Sequence, residues 1–340
     1  MHFDLGPAKY PAVFVVALLL SLYFTPVIRR AAIAYGVLDR PDSKLKQHKE
    51  PVAYLGGVSI WLSYLFALTL LYDLTPEVLA ILLGSSIIVS LGLFDDLKVL
   101  RPGVKLAGQI VAVLVLVKAG IMIRLSFLPD WAALLLTLFW MVGVTNALNL
   151  IDVSDGLAAG VAAISGSFLF VIALWNESTT IAMLTLSLVG SALGFLVYNR
   201  PPARIFMGDT GSMLLGFTLG AVAMSGQYTS FSHRAAAIAP VVILGVPIFD
   251  TLFVMGVRAW RRLPLMQGSP DHFAVRLRRN GVSAARIAGL SYVASAVLGT
   301  SGLLVCRLSL SASLWVIGGV AMLSALAAYA LVRLGRGSSG

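Results

Sequence analysis

The chain has 340 residues, 59% of them hydrophobic and 12% charged, with a mean hydropathy of +0.92. Ordinary soluble domains carry about 25% charged residues, so this composition excludes a water-soluble globule and leaves a single membrane domain. A net charge of +10 would suit a nucleic-acid partner, but the placement of the cations explains it without one.

A bilayer is crossed by about 20 apolar residues, and eleven stretches meet or approach that length in chain order. They cover residues 11–28, 53–72, 77–94, 106–122, 131–147, 157–175, 180–198, 211–225, 235–257, 286–306 and 312–332. The first follows Lys9 without a small-residue cleavage site, which reads as a retained span rather than a signal peptide. The 211–225 stretch is the shortest. The expected fold is an all-α polytopic transmembrane bundle of about 10 to 11 spans. Residues 1–336 form one catalytic domain, and residues 337–340 read as either a native end or an appended remnant. Cys306 is the only cysteine and lies in an apolar stretch, so it reads as a buried thiol, with no disulfide framework.

Lys and Arg divide between alternate loops 20 to 5. The positive-inside rule puts the richer set in the cytoplasm and the N-terminus outside. The carboxylates follow the same division. Asp39, Asp42, Glu50, Asp95, Asp96, Asp152, Asp155, Asp209 and Asp271 fall on the cytoplasmic side, against Asp4, Asp73, Glu77, Asp130 and Glu177 outside. Carboxylates set among cations on one face suit a site for a metal and an anion.

Three segments on that face carry chemistry. The third span ends Leu91-Gly92-Leu93-Phe94-Asp95-Asp96, with Lys98, Arg101 and Lys105 after it. Two carboxylates at a helix C-terminus oppose the macrodipole by about 0.3–1 kcal/mol each, so a positive partner must compensate. After the fifth span comes Asn146-x-x-Asn149-x-x-Asp152-x-x-Asp155-Gly156-Leu157. Amide and carboxylate oxygens of this kind suit Mg²⁺ bound together with a diphosphate; a polar network between helices is the alternative. The third segment, Tyr198-Asn199-Arg200 through Phe206-Met207-Gly208-Asp209-Thr210-Gly211-Ser212, opens a helix whose free N–H groups can receive a phosphate.

In order and loop position these segments resemble the polyprenyl-phosphate N-acetylhexosamine-1-phosphate transferase family, which includes the phospho-N-acetylmuramoyl-pentapeptide transferases. The resemblance covers roughly residues 38–285, and His48-Lys49-Glu50-Pro51 followed by Gly56-Gly57 looks like the family's first cytoplasmic loop. It implies transfer of a sugar 1-phosphate, an N-acetylhexosamine by preference, from a UDP-sugar to undecaprenyl or another polyprenyl phosphate. UMP would be released, in the first step of an envelope polysaccharide or O-antigen. The implied setting is a bacterial inner membrane with the active site facing the cytoplasm. The implied cofactor is Mg²⁺, with Mn²⁺ as a substitute, and a homodimer is compatible with the family.

By similarity Asp209 and Asn149 would bind the metal, and Lys105 would contact the nucleotide diphosphate. Asn199 and Phe206 would hold the uracil, with Asn146 also on the substrate side. Asp95, Asp96, Asp152 and Asp155 would position or deprotonate the lipid phosphate. His272 and Arg276 are expected to recognise the sugar.

Two departures stand out. Val153 follows Asp152 where the family has glycine, and Ser154 replaces an apolar residue. In Asp271-His272-Phe273-Ala274-Val275-Arg276 only one histidine of the family's cluster remains, which fits the muramoyl-pentapeptide enzymes least. Those enzymes are the nearest competing reading. A secondary transporter is the competitor of another class, because Asp250 lies inside an apolar span.

Overall fold

The computed structural model describes residues 6–39, 51–125, 128–226, 228, 234–264, 269 and 271–337. Asp42, His48, Lys49, Glu50, and the tail beyond Gly337 lie outside them. Each of the eleven expected stretches is helical: α1 (Lys9–Ala34), α2 (Gly56–Leu71), α3 (Pro76–Leu97), α4 (Pro102–Lys118), α5 (Asp130–Leu150), α6 (Leu157–Trp175), α7 (Thr179–Asn199), α8 (Gly208–Ser225), the pair α9 (Ala239–Ile243) and α10 (Gly245–Trp260), α12 (Ala284–Arg307) and α13 (Leu310–Gly337). A short α11 (Phe273–Arg279) sits in the last large loop. Among the described residues, seven helices are long and apolar enough to cross a membrane, or eight if α9 and α10 form one bent span.

The other expected spans are shorter or less apolar helices. With 16 and 17 residues, α2 and α4 reach about 24–26 Å against a hydrocarbon core of about 30 Å. Helix α8 is rich in glycine and hydroxyl residues and is buried on every face from Thr210 to Ala223. It is the central post of the bundle, packed by α2, α3, α5, α6 and α7. By contrast α13 is mostly exposed, as suits a helix facing lipid.

Local chemistry sets the element ends and bends. Thr75 caps α3 by accepting from Val78 N–H at 3.4 Å, with Pro76 in the first turn. Proline inside a helix frees the carbonyl four residues earlier, and both such carbonyls find a side-chain donor. Pro26 frees Leu22, whose oxygen accepts from the Tyr198 hydroxyl at 3.1 Å. Pro247 frees Ile243, which accepts from Ser165 Oγ at 3.0 Å where α9 and α10 bend by 77°.

Close approach to α8 depends on glycine. A Cβ on Gly57 would lie 2.7 Å from the Thr210 carbonyl carbon, and one on Gly92 would lie 2.6 Å from Thr210 Cα. These two contacts bring the starts of α2 and α8 and the end of α3 together. A small β-hairpin departs from the all-α expectation: Leu38–Asp39 pairs antiparallel with Val52–Ala53. Ala53 also bridges Ile205, and Gly56 and Gly57 N–H donate to the Phe206 and Met207 carbonyls, each at 2.9 Å. Cys306 is buried in α12, as expected.

Candidate active site

The ends of α3, α5 and α7 and the starts of α4 and α8 meet at one end of the bundle, because successive helices alternate in direction. Asp96 occupies the start of α8. Its carboxylate accepts from Asp209 N–H at 2.8 Å, Thr210 N–H at 3.1 Å and Thr210 Oγ1 at 2.6 Å. The positive end of α8 thus compensates a carboxylate that the C-terminus of α3 disfavours. Gly208 precedes this contact with φ +69°, and a side chain there would run into the Asp96 carboxylate.

Asp95 finds a different compensation. It accepts from Leu100 N–H at 2.6 Å and pairs with Lys105 Nζ at 3.2 Å. Lys105 also forms an ion pair with Asp209, so one ammonium bridges carboxylates from α3 and α8. The second Asp209 oxygen accepts from Asn149 Nδ2 at 2.9 Å, and the same amide group donates to Ser212 Oγ at 2.9 Å. Asp95, Asp96, Lys105, Asn149 and Asp209 therefore form one hydrogen-bonded cluster. It borders a cleft of about 390 Å³ lined by Val37, Leu38, Asp39, Tyr54, Asp95, Asp96, Val99 and Asp209.

Asp152 lies just beyond α5 and has no hydrogen-bond donor to its carboxyl among the described residues. Burial, reinforced by the charges of Asp209, Asp96 and Asp155, pushes this carboxyl up to about 8. Tyr54 senses the same concentration of charge: burial, then Asp96, Asp152, Asp209 and Asp39, raise its hydroxyl well above the ordinary tyrosine range.

Other expected residues brace the cluster. Asp155 accepts from Ala203 N–H at 3.0 Å. Asn199 is buried, accepts from Gly156 N–H at 3.0 Å and donates to the Ile205 carbonyl at 2.9 Å. These bonds tie the start of α6 to the loop before α8. Asn146 exchanges hydrogen bonds with Gln109 of α4 at 2.8 and 3.3 Å. The Phe206 ring packs edge-on against Tyr54 with centroids 6.5 Å apart.

His272 and Arg276 belong to a separate group beyond α10. His272 Nδ1 lies 2.6 Å from Asp250 Oδ2. Arg276 donates to Asp271 Oδ1 at 2.6 Å and to the Leu331 carbonyl of α13 at 3.1 Å. Burial works to raise the Asp271 carboxyl, but hydrogen bonds from Arg276 and Ser269 and the charges of Arg276 and Arg261 outweigh it and hold it below the ordinary range. Arg258 donates to the Pro264 carbonyl at 2.6 Å and makes no bond to Asp250. Asp39 and Tyr54 line the cleft without having been singled out from the sequence. The only signal for Asp39 was its place on the charged face, and Tyr54 carried none.

The sequence matches the glycosyl transferase family 4 model over residues 78–227. A probable undecaprenyl-phosphate N-acetylglucosaminyl 1-phosphate transferase of Bacillus subtilis is 38% identical over 280 residues, covering 79% of this chain and 77% of the relative. The chain belongs to glycosyl transferase family 4. A decaprenyl-phosphate N-acetylglucosaminephosphotransferase of Mycolicibacterium smegmatis is 31% identical to this family 4 transferase over 318 residues, covering 82% of this chain and 77% of the relative. A phospho-N-acetylmuramoyl-pentapeptide-transferase of Bacillus subtilis is 35% identical over 266 residues, covering 71% of this chain and 79% of the relative. The five residues of the hydrogen-bonded cluster all lie within the matched region, while His272 and Arg276 fall after it.

The donor set of this phosphosugar transferase fits a hard divalent cation. Among the described residues no group of three or more His, Cys, Asp or Glu is spaced to hold a metal by itself. Substrate phosphates would have to complete the shell, as is usual for Mg²⁺. Asp209 and the Asn149 side-chain oxygen, which has no partner among the described residues, are the groups that would hold it.

Proposed function

We propose that the protein transfers N-acetylglucosamine 1-phosphate from its UDP conjugate to undecaprenyl phosphate and releases UMP, initiating an envelope polysaccharide. The observation that carries this reading is the Lys105 bridge between Asp95 and Asp209 at the start of α8, with Asn149 on the same carboxylate. Two relatives named for N-acetylglucosamine phosphate transfer to a polyprenyl phosphate support the choice of sugar and lipid. The 20-to-5 division of cations favours a cytoplasmic active site in the plasma membrane.

A lipid phosphate oxygen would attack the β-phosphorus of the sugar nucleotide, and the bond to the UMP oxygen would break. Attack between two anions requires neutralisation and positioning above all. Lys105 supplies a fixed positive charge, and Asp209 and Asn149 would hold the divalent ion. When bound, Mg²⁺ supplies charge neutralisation at phosphate oxygens. Asp96 fixes the start of α8, so that Asp209 is presented at a set angle. Asp152, whose carboxyl feels the charges of Asp209, Asp96 and Asp155, would position the lipid phosphate. The acceptor needs little help in ionising, since a phosphate monoester has a second pKa of about 6.

The test is incubation of purified protein with undecaprenyl phosphate, Mg²⁺ and a panel of UDP-sugars that includes the muramoyl pentapeptide. UMP and the lipid-linked product are expected with UDP-N-acetylglucosamine. Turnover with the pentapeptide alone would replace this reading by the peptidoglycan one, and no UMP with any sugar would defeat both.

A further inference from the structure

Asp250 is fully buried in α10, where an unpaired carboxylate would be costly. Both its oxygens have partners on the segment that begins α11: Oδ2 lies 2.6 Å from His272 Nδ1, and Oδ1 accepts from Phe273 N–H at 2.9 Å. One carboxylate therefore fixes the backbone and the imidazole of adjacent residues. The contact joins α10 to the residue that begins α11, 22 positions along the chain.

A carboxylate accepts and cannot donate, so the proton between this pair sits on Nδ1. Nε2 is the nitrogen left for a ligand, and among the described residues nothing bonds to it. Helix α10 packs on α5, which carries Asn146 and Asn149. The loop after α10 also lies at the same end of the bundle as the carboxylate cluster, as the alternation of helix directions requires.

We propose that Asp250 is a positioning residue for substrate recognition: it holds the His272 ring in one tautomer and one orientation, so that Nε2 meets the sugar nucleotide. This rests on the reading of His272 as a substrate-contacting residue. Asp250 itself touches no substrate and acts through His272. Asparagine at 250 would keep the shape but offer an N–H₂ group toward Nδ1 or leave Phe273 N–H without an acceptor. Either outcome releases the ring from its tautomer.

The experiment is a double-mutant cycle on the full-length enzyme, with KM for UDP-N-acetylglucosamine and kcat read separately at saturating undecaprenyl phosphate. His272→Ala is expected to raise KM about tenfold or more. Asp250→Asn is expected to raise it about tenfold with kcat within about threefold, the size seen when a carboxylate orienting a functional histidine is removed. The double variant should fall within about twofold of His272→Ala, because coupled residues do not add. An Asp250→Asn effect that multiplies onto that of His272→Ala, or is absent while His272→Ala is impaired, overturns the role of Asp250 alone. Wild-type kinetics in His272→Ala overturns that role and the reading of His272 together.

A second measurement uses the unaltered protein. ¹⁵N spectra of chain labelled at its 4 histidines, with His272 assigned by its loss in His272→Ala, should give an Nδ1-protonated ring. A bare Nδ1 with the proton on Nε2 would overturn the proposal even if no Asp250 variant folds.

Discussion

The carboxylate of Asp96, at the end of α3, caps α8 by accepting from the backbone N–H groups of Asp209 and Thr210. The negative end of α3 is thereby joined to the positive end of α8 through a single side chain. Asp96→Ala should cost about 2–4 kcal/mol, because it strands two buried N–H groups and the Thr210 hydroxyl. Asp96→Asn retains one acceptor and should lose about half of that. Melting of the detergent-solubilised variants checks the order. A kcat that falls in step with melting would reduce Asp96 to a structural cap.

Lys105 bridges Asp95 and Asp209 across α3 and α8. Lys105→Met keeps the chain length and removes the charge, leaving the two carboxylates facing each other. We expect kcat/KM to drop by about 10²-fold or more, the effect of losing one fixed electrostatic contact to a phosphoryl centre. UMP release measures it. A loss under about tenfold would assign the bridge to folding rather than to turnover.

Much of this was legible in the sequence because bilayer physics leaves few options. Every apolar stretch became a helix, and the charge-bearing loop ends gathered at one end. The need for a positive partner near Asp95 and Asp96 was also readable, as a conflict with the α3 dipole. Which partner served which carboxylate was not, because Lys105 and the start of α8 are separated from them by turns and whole helices. Asp39 and Tyr54 reach the cleft through backbone pairing of residues 38–39 with 52–53, and such a short hairpin carries no period-2 signal. Asn199 reads as a substrate ligand from its motif, yet in the structure both ends of its amide hold backbone groups of Gly156 and Ile205. His272 and Asp250 pair across 22 positions, from α10 to the start of α11, and no sequence spacing announces that contact. The expected 10 to 11 spans include α2, α4 and α8, which are helical as expected but shorter or less apolar than the seven helices long and apolar enough to cross a membrane.

Gly92 lets α3 lie directly against the first turn of α8. An added Cβ would come within 2.6 Å of Thr210 Cα and N, and backbone atoms cannot yield as a flexible side chain would. Gly92→Ala should therefore destabilise the protein by about 1–3 kcal/mol, the usual range for overpacking. It should also lower activity, since Asp96 lies four residues further along the same helix and depends on that spacing. Gly103, which has open space around its Cβ position, provides the control: Gly103→Ala should leave melting and turnover unchanged. Equal melting temperatures for the two alanine variants would contradict the close-contact account.

The Asp152 carboxyl provides a test of charge in the site that needs no substrate. Its folded value of about 8 lies above the unfolded value of about 3.9. Between these values the folded chain binds more protons than the unfolded one, so this group makes stability fall as pH rises. Its contribution is fully favourable below about pH 4 and is lost by about pH 8. Asp152→Asn removes that dependence. In EDTA the variant should melt above the wild type at pH 8–9, and the difference should shrink towards pH 5. Added Mg²⁺ should narrow the gap at high pH, because a cation held by Asp209 and Asn149 relieves the like charges that raise Asp152. A wild-type melting curve parallel to that of Asp152→Asn across pH 5–9 would rule out the crowding of carboxylates as the cause. A gap unaffected by Mg²⁺, with melting otherwise as expected, would count against a metal at Asp209.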